Sequence, residues 1–341
     1  MTDRPNANAG VFFDPETPWW RRRRGHGSRY LVDVMVSPLV NPRETLVVSG
    51  FWRSGTTWLQ HALAELRTAK ILFEPFHLSV REMDDVFRAA GAPELLTFRR
   101  AFCPYAPAEL NGALAGLVRK SLRSTVRSRW VRNFKQRAND SISWRRRVVV
   151  KFVRANLCMR AIANTFDVPI IHLYRDPRAV IASAVYKTDR MWGNYEPFDL
   201  AGQLLGVDDG RIAYFGQWSR EIRALHEKPF PIQFAAYWVF IERFLADSFA
   251  DAPGARVCFV QYEQAARHPD TALPGILDRL GLDYRLPENN KVFRDDSPST
   301  IQRGQTTGER VHGWKKLLSE TEINEISALA RDFGFADRLV D

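Results

Sequence analysis

Between Thr45 and Leu66 the chain passes from a run of β-formers into a glycine-bounded loop and then a helix, an order that leaves few folds open to it. Thr45 to Val48 reads as a strand, Gly50-Phe51-Trp52-Arg53-Ser54-Gly55 as a tight loop, and Thr56 to Leu66 as a helix with Leu59, Leu63 and Leu66 at helical spacing. In such a unit the loop N–H groups point inward with the positive end of the helix dipole behind them, so a phosphate is the expected guest. A nucleoside-triphosphate loop of this glycine spacing continues with Lys and then Ser or Thr to hold the β/γ-phosphates and Mg²⁺. Here Thr56 follows Gly55, and the cation stands three places back at Arg53. The loop therefore suits a compact 5′-phosphate better than a metal-bound triphosphate.

The rest of the chain supplies a sheet for this unit. Lys70-Ile71-Leu72-Phe73-Glu74-Pro75 reads as a second strand stopped by its proline, which puts Glu74 at the carboxyl end, where open α/β sheets bind ligands. Arg147 to Val153, Val168 to Tyr174 and Arg256 to Gln261 are three further strands, separated by helices around Leu157 to Thr165 and Phe234 to Phe249. Asp176 is a good N-cap and Pro177 a good first residue for a helix through Val180 to Tyr186. The expectation is an α/β, P-loop-like three-layer fold: a central, mostly parallel sheet of about five strands covered on both faces. Tyr30 to Val40 adds a candidate short edge strand before the Asn41-Pro42 turn.

Two segments fall outside this alternation. Residues 1–29, rich in Pro, Asn and Arg, read as a solvated arm ending in Arg21-Arg22-Arg23-Arg24. From about 78 to 145 runs a lid-like helical insertion, in which Leu114, Val118, Leu122, Val126, Trp130 and Phe134 recur every four residues. Its other faces carry Arg119, Lys120, Arg123, Arg127, Arg129, Arg132, Lys135 and Arg137. This leaves a single domain over 30–341.

A chain of 341 residues with 45% hydrophobic residues buries a full core, and its net charge of +10 favours anionic ligands without choosing among them. Cys103, Cys158 and Cys258 show no paired spacing, and the seven histidines show no metal-ligand spacing, so neither a disulfide framework nor a metal site is expected. No apolar leader and no run of 18 apolar residues is visible, and a reducing, cytoplasmic setting is the expectation.

Two more stretches sharpen the reading. Arg175 closes a strand and Ser183 lies eight residues on, about two turns into the next helix; a guanidinium gives two charge-assisted bonds to a phosphate and a hydroxyl can add a third, although an Arg before a helix N-cap, taken alone, is more often a structural salt-bridge partner. The loop Arg53-Ser54-Gly55-Thr56-Thr57-Trp58 resembles the 5′-phosphosulfate loop of sulfotransferases that use 3′-phosphoadenosine 5′-phosphosulfate (PAPS), and Arg175-Asp176-Pro177-Arg178-Ala179-Val180 resembles their 3′-phosphate motif in its carbohydrate-sulfotransferase form. Val260-Gln261-Tyr262-Glu263 is similar to the family segment whose Tyr lies near the nucleotide. Thr306-Thr307-Gly308 through Gly313-Trp314-Lys315 is similar to the loop that closes over the 3′-phosphate and adenine, with Arg303, Gly304 or Arg310 as the contact. The resemblance spans about Thr45 to Ile323.

The resemblance implies in-line transfer of a sulfonyl group from PAPS, the co-substrate, to an acceptor hydroxyl, with no metal. Arg53 would meet the charge growing on the leaving oxygen, and Lys151 takes the place of a family Lys that contacts the sulfonyl group. Cytosolic relatives place a His base where this chain has Val153, whereas Leu72-Phe73-Glu74-Pro75-Phe76-His77 resembles the carbohydrate branch, making Glu74 the base and His77 the reserve. A carboxylate at position 74 would equally suit an ion pair with Arg53 or an N-cap. The implied acceptor is a carbohydrate or glycolipid hydroxyl, with a small hydroxylated metabolite or phenol as the alternative. Peripheral membrane contact through the basic insertion fits the charge, and nucleic acid is not expected as a partner. A P-loop nucleotide kinase is opposed by the missing loop Lys, and a nucleic-acid or membrane-surface binder rests on charge alone.

Overall fold

A computed structural model describes residues 31, 34–77, 80–89, 103–128, 130–131, 144–186, 198–252, 254–287, 293 and 306–340. Five strands form the sheet: β1 Leu46–Gly50, β2 Lys70–Phe73, β3 Val148–Phe152, β4 Ile170–Tyr174 and β5 Val257–Gln261. Their order is β2-β3-β1-β4-β5, and every pair is parallel. Strands buried on both faces need apolar residues at successive positions, which is why these short runs are nearly continuous in Val, Ile and Leu. Alternate side chains serve opposite layers. Val47, Val150 and Ile170 face one core cluster, while Val48, Val149 and Ile171 face the other.

The helices follow from the same pattern. Ten of the helices among the described residues are, in chain order, α1 Thr56–Leu66, α2 Glu82–Ala89, α3 Gly112–Leu122, α4 Met159–Phe166, α5 Pro177–Val185, α6 Phe230–Ala250, α7 Tyr262–Arg267, α8 Pro269–Arg279, α9 Thr307–His312 and α10 Glu320–Asp332. Leu59, Leu63 and Leu66 of α1 fill the Val48 layer, and Phe234, Trp238, Phe240 and Phe244 of α6 fill the opposite one. As expected, the Asp176 side chain caps α5, accepting from Arg178 N at 2.8 Å, with Pro177 in its first turn. None of the helices among the described residues is long and apolar enough to cross a membrane.

Two expectations are corrected. No edge strand stands at the described part of Tyr30 to Val40: residues 34–36 are helical and a 3₁₀ turn, Ser37–Leu39, follows. Pro38 lacks the N–H a ladder needs, and Ser37 Oγ donates to Val34 O at 2.9 Å, so the segment satisfies itself locally and β2 and β5 are the sheet's edges. In the insertion, the four-residue repeat does not make one helix. α3 ends at Leu122, because Ser124 turns left-handed (φ 59°) and Thr125 N reaches back to Lys120 O at 2.8 Å. Val118, Leu122 and Val126 are nevertheless buried, and Arg119, Lys120, Arg123 and Arg127 are exposed. Phe134, Arg129, Arg132, Lys135, Arg137 and the arm 1–29 lie outside the described residues.

Candidate active site

Parallel strands bring all their exits to one edge, and that edge collects the polar residues singled out above. After β1 the chain turns so sharply that a Cβ on Gly50 would sit 2.5 Å from Leu173 O and 2.7 Å from Thr56 Cγ2. Gly55 is the N-cap of α1 at φ 93°, and a Cβ there would lie 2.6 Å from the Tyr262 ring. Only glycine allows both the left-handed turn and this approach. With no side chain capping α1, its first-turn N–H groups remain available to an anion. Ser54 Oγ is buried beside them with no hydrogen-bond partner among the described residues.

Two groups of charged residues flank this loop. In the first, Arg53, held left-handed at φ 68°, donates from Nε to Ser183 Oγ at 3.0 Å. Arg175 Nη1 donates to Arg53 O at 3.1 Å, its Nη2 to Arg310 O, and its guanidinium lies 4.4 Å over the Tyr262 ring. Glu263 Oε1, 3.8 Å from Arg175 Nε, is its nearest counter-charge and also accepts from Asp176 N at 3.1 Å. Burial, reinforced by the charge of Arg175, pulls the Arg53 guanidinium down to about 10, with Glu74 opposing. Two guanidiniums forced together in this way are poised for a polyanion. The sequence assigned Arg53 and Ser183 to different phosphates, yet their side chains touch.

The second group stands on β2 and β3. Glu74 follows β2 in a left-handed conformation (φ 43°) and accepts from Lys151 Nζ at 2.8 Å and from Arg154 Nη1 at 2.9 Å. Its ion-pair partners are thus Lys151 and Arg154, where the sequence suggested Arg53. Lys151 Nζ also donates to Thr57 Oγ1 at 2.9 Å and lies 3.8 Å over the Phe73 ring, joining this group to the loop. Burial works against an ionised Glu74, but Lys151 and Arg154 prevail and hold its carboxyl at about 2. Burial lowers the Lys151 ammonium in spite of Glu74. His77 stacks on Trp130 with ring centroids 3.5 Å apart, and burial together with Arg154 presses it well below its ordinary value. Arg154 went unnoticed in the sequence; its position three residues after Lys151, just past a strand's carboxyl end, is the signal that would have found it.

Beside the first group lies a cavity of about 440 Å³, lined by Trp58, Tyr262, Phe293, Thr306, Thr307 and Arg310 among others. Three aromatic rings and the Arg310 guanidinium suit a nucleobase with a phosphate at its rim. Arg310 therefore stands at this site, whereas Arg303 and Gly304 lie outside the described residues. Among the described residues, no group of His, Cys, Asp or Glu could hold a metal ion.

The glycine loop with its uncapped helix, the cavity lined by aromatic rings and the lysine–carboxylate pair meet at the carboxyl edge of the sheet, where open α/β sheets bind ligands and carry out group transfer. A sequence profile of the Sulfotransferase family matches residues 45–286, and the chain belongs to that family. It is a sulfotransferase. Among curated proteins, none matches the chain. Several solved structures resemble it at low identity. A sulfotransferase domain from the curacin biosynthetic pathway is 15% identical, with 85% of this chain and 97% of that one covered at a TM-score of 0.42. For the sulfotransferase domain of the Synechococcus PCC 7002 olefin synthase the values are 18%, 85%, 94% and 0.40. For retinol dehydratase in a complex with retinol and PAP they are 15%, 89%, 85% and 0.37.

Arg175→Ala is expected to weaken binding of adenosine 3′,5′-bisphosphate (PAP) by roughly 1.5–3 kcal/mol, the worth of a hydrogen bond to a charged group, while kcat at saturating PAPS changes little. A titration calorimeter reads the first effect and steady-state kinetics the second. Unchanged affinity would remove Arg175 from the donor site.

Proposed function

We propose that residues 30–341 act as one sulfotransferase unit that moves the sulfonyl group of PAPS to a hydroxyl on a carbohydrate or glycolipid, in the cytoplasm and peripheral to a membrane. In this reading Ser54, Gly55, Thr56 and Thr57 cradle the 5′-phosphate, Arg53 meets the charge on the leaving oxygen, and Arg175 and Ser183 hold the 3′-phosphate. Trp58 and Tyr262 line the nucleoside pocket, and Arg303, Gly304 or Arg310 makes the contact from the C-terminal loop. Lys151 contacts the sulfonyl group, and Glu74 takes the acceptor's proton, with His77 in reserve. PAPS supplies the sulfonyl group and a bisphosphate leaving group.

The observation that carries this reading is the Lys151 ammonium, shared between Glu74 and Thr57 at 2.8 and 2.9 Å. It stands between the phosphate loop and the Glu74 carboxylate. A donor drawing Lys151 toward the sulfonyl group would loosen its hold on Glu74, and the freed carboxylate oxygen would become a better base as donor arrives. The sugar class is supported by Leu72-Phe73-Glu74-Pro75 and by the Trp130–His77 stack beside Glu74, a flat face suited to a pyranose ring. The exposed Arg119, Lys120, Arg123 and Arg127 would favour an acidic acceptor or membrane. One observation favours a phenol instead: a carboxyl held at about 2 is a weak base, sufficient for an acidic hydroxyl.

A thermal-shift measurement tests the donor site. PAP without Mg²⁺ should raise the melting temperature, by an amount equivalent to about 2.7 kcal/mol at 100 times its Kd, whereas ATP with Mg²⁺ should do little. Incubation with ³⁵S-labelled PAPS and a panel of sugars, glycolipids and phenols then tests the acceptor. Label transferred to phenols alone would overturn the carbohydrate assignment.

A further inference from the structure

Beneath the phosphate loop, on the α6 side of the sheet, runs a buried polar chain that none of the roles above uses. Asn156, in the exit from β3, donates from Nδ2 to Val153 O at 3.3 Å and Gly50 O at 3.5 Å. Its Oδ1 must therefore accept, and the hydroxyl it accepts from is Ser49 Oγ at 3.0 Å. With its proton so committed, Ser49 Oγ can only accept from His172 Nδ1, 3.1 Å away. The other ring nitrogen, Nε2, faces both oxygens of Glu242 at 3.1 and 3.2 Å. Arg338 donates to the same carboxylate, and its guanidinium lies 4.4 Å over the Tyr174 ring. Phe259 packs beside the His172 ring, with ring centroids 5.4 Å apart.

Hydrogen-bond direction points to one form of His172. Glu242 is kept ionised by Arg338, whose guanidinium donates to it. A carboxylate only accepts, so Nε2 must donate to it; Nδ1 must donate to Ser49. A ring that donates from both nitrogens is an imidazolium, here 1% exposed and facing a carboxylate that is fully buried. Such a charge is tolerated in the interior only when it is hydrogen-bonded and has a counter-charge, and this one shares Glu242 with Arg338.

We propose that His172 is a positioning residue. As an imidazolium anchored by Glu242 and Arg338, it fixes Ser49 and, through Asn156, the mouth of the phosphate loop at Gly50. The chain ties together the exits of three strands: β1 with its loop, β3 with Lys151 and Arg154, and β4, where Arg175 follows His172 by three residues. The C-terminal segment locks the same turn from outside, since Val340 N donates to Asp176 Oδ2 and Arg178 Nη2 donates to Val340 O, both at 2.9 Å. The proposal rests on the phosphate-loop reading.

Nitrogen-15 NMR of the full chain with labelled histidine tests the protonation, the signal of His172 being the one that moves in Ser49→Ala. Two protonated ring nitrogens at neutral pH are expected, and a neutral tautomer overturns the proposal. For positioning, Ser49→Ala should weaken PAP binding about fivefold, the effect of one buried hydrogen bond, and leave kcat at saturating PAPS within twofold. Unchanged PAP affinity, or equal losses in kcat and affinity as from a smaller folded fraction, overturns it. Should the unaltered protein fail to bind PAP, the phosphate-loop reading falls, while the ring's protonation is still decided by NMR.

Discussion

Replacing Glu74 by Gln is expected to lower kcat by ~10²–10⁴-fold while PAP affinity survives. The amide keeps the shape of the side chain, but it cannot take a proton from the acceptor. It also leaves Lys151 and Arg154 buried without their shared counter-charge, so kcat must be referred to the folded fraction from a melting curve. The pH dependence separates the two consequences. A carboxyl held at about 2 is ionised across the assay range, so no acidic limb in kcat/KM should come from Glu74 above about pH 4. Its folded-state value lies below the unfolded one, so the stabilisation is complete above about 4.5 and is lost as pH falls through 2. Acid unfolding of the Gln variant should lack this component. Near-normal turnover in Glu74→Gln combined with loss in His77→Ala would make His77 the base. Normal turnover in both would mean an acceptor that enters already ionised, as an acidic phenol does.

All five strands were legible as short apolar runs, most continuously where the strand is buried on both faces, as in Val148-Val149-Val150 or Ile170-Ile171. Once the strands are known, their carboxyl ends are known, and Glu74, Lys151, Arg175 and Tyr262 fall together without any further information. Period alone was less secure. Val36 and Val40 look like strand residues, but Pro38 between them removes a ladder donor, and the four-residue repeat of the insertion continues past Leu122 although Ser124 breaks the helix. Long-range pairing was hidden for a different reason. Glu242 sits amid the aromatic residues of α6, and His172 in a hydrophobic strand; neither carries a local sign that the other is 3.1 Å away. Arg154 likewise has value only because β2 delivers Glu74 beside it.

Lys151→Met should cost ~10²–10³ in kcat, comparable to removing one preorganised donor from a developing oxyanion, with a much smaller change in PAP affinity. Methionine preserves the volume and the contact with the Phe73 ring but removes the charge that reaches both Thr57 Oγ1 and Glu74 Oε1. The same substitution withdraws one of the two cations that depress Glu74, so its carboxyl must rise from about 2, and an acidic limb should emerge in kcat/KM where the unaltered enzyme is flat. Because burial lowers the Lys151 ammonium, the alkaline limb of the unaltered enzyme should lie below the ordinary lysine range and vanish in the Met variant. Two residues working as one unit are not additive, so Glu74→Gln/Lys151→Met should be little slower than the worse single variant. Losses that simply multiply, with no new acidic limb, would mean that Lys151 and Glu74 act independently and that the ammonium is not what prepares the carboxylate to accept the proton.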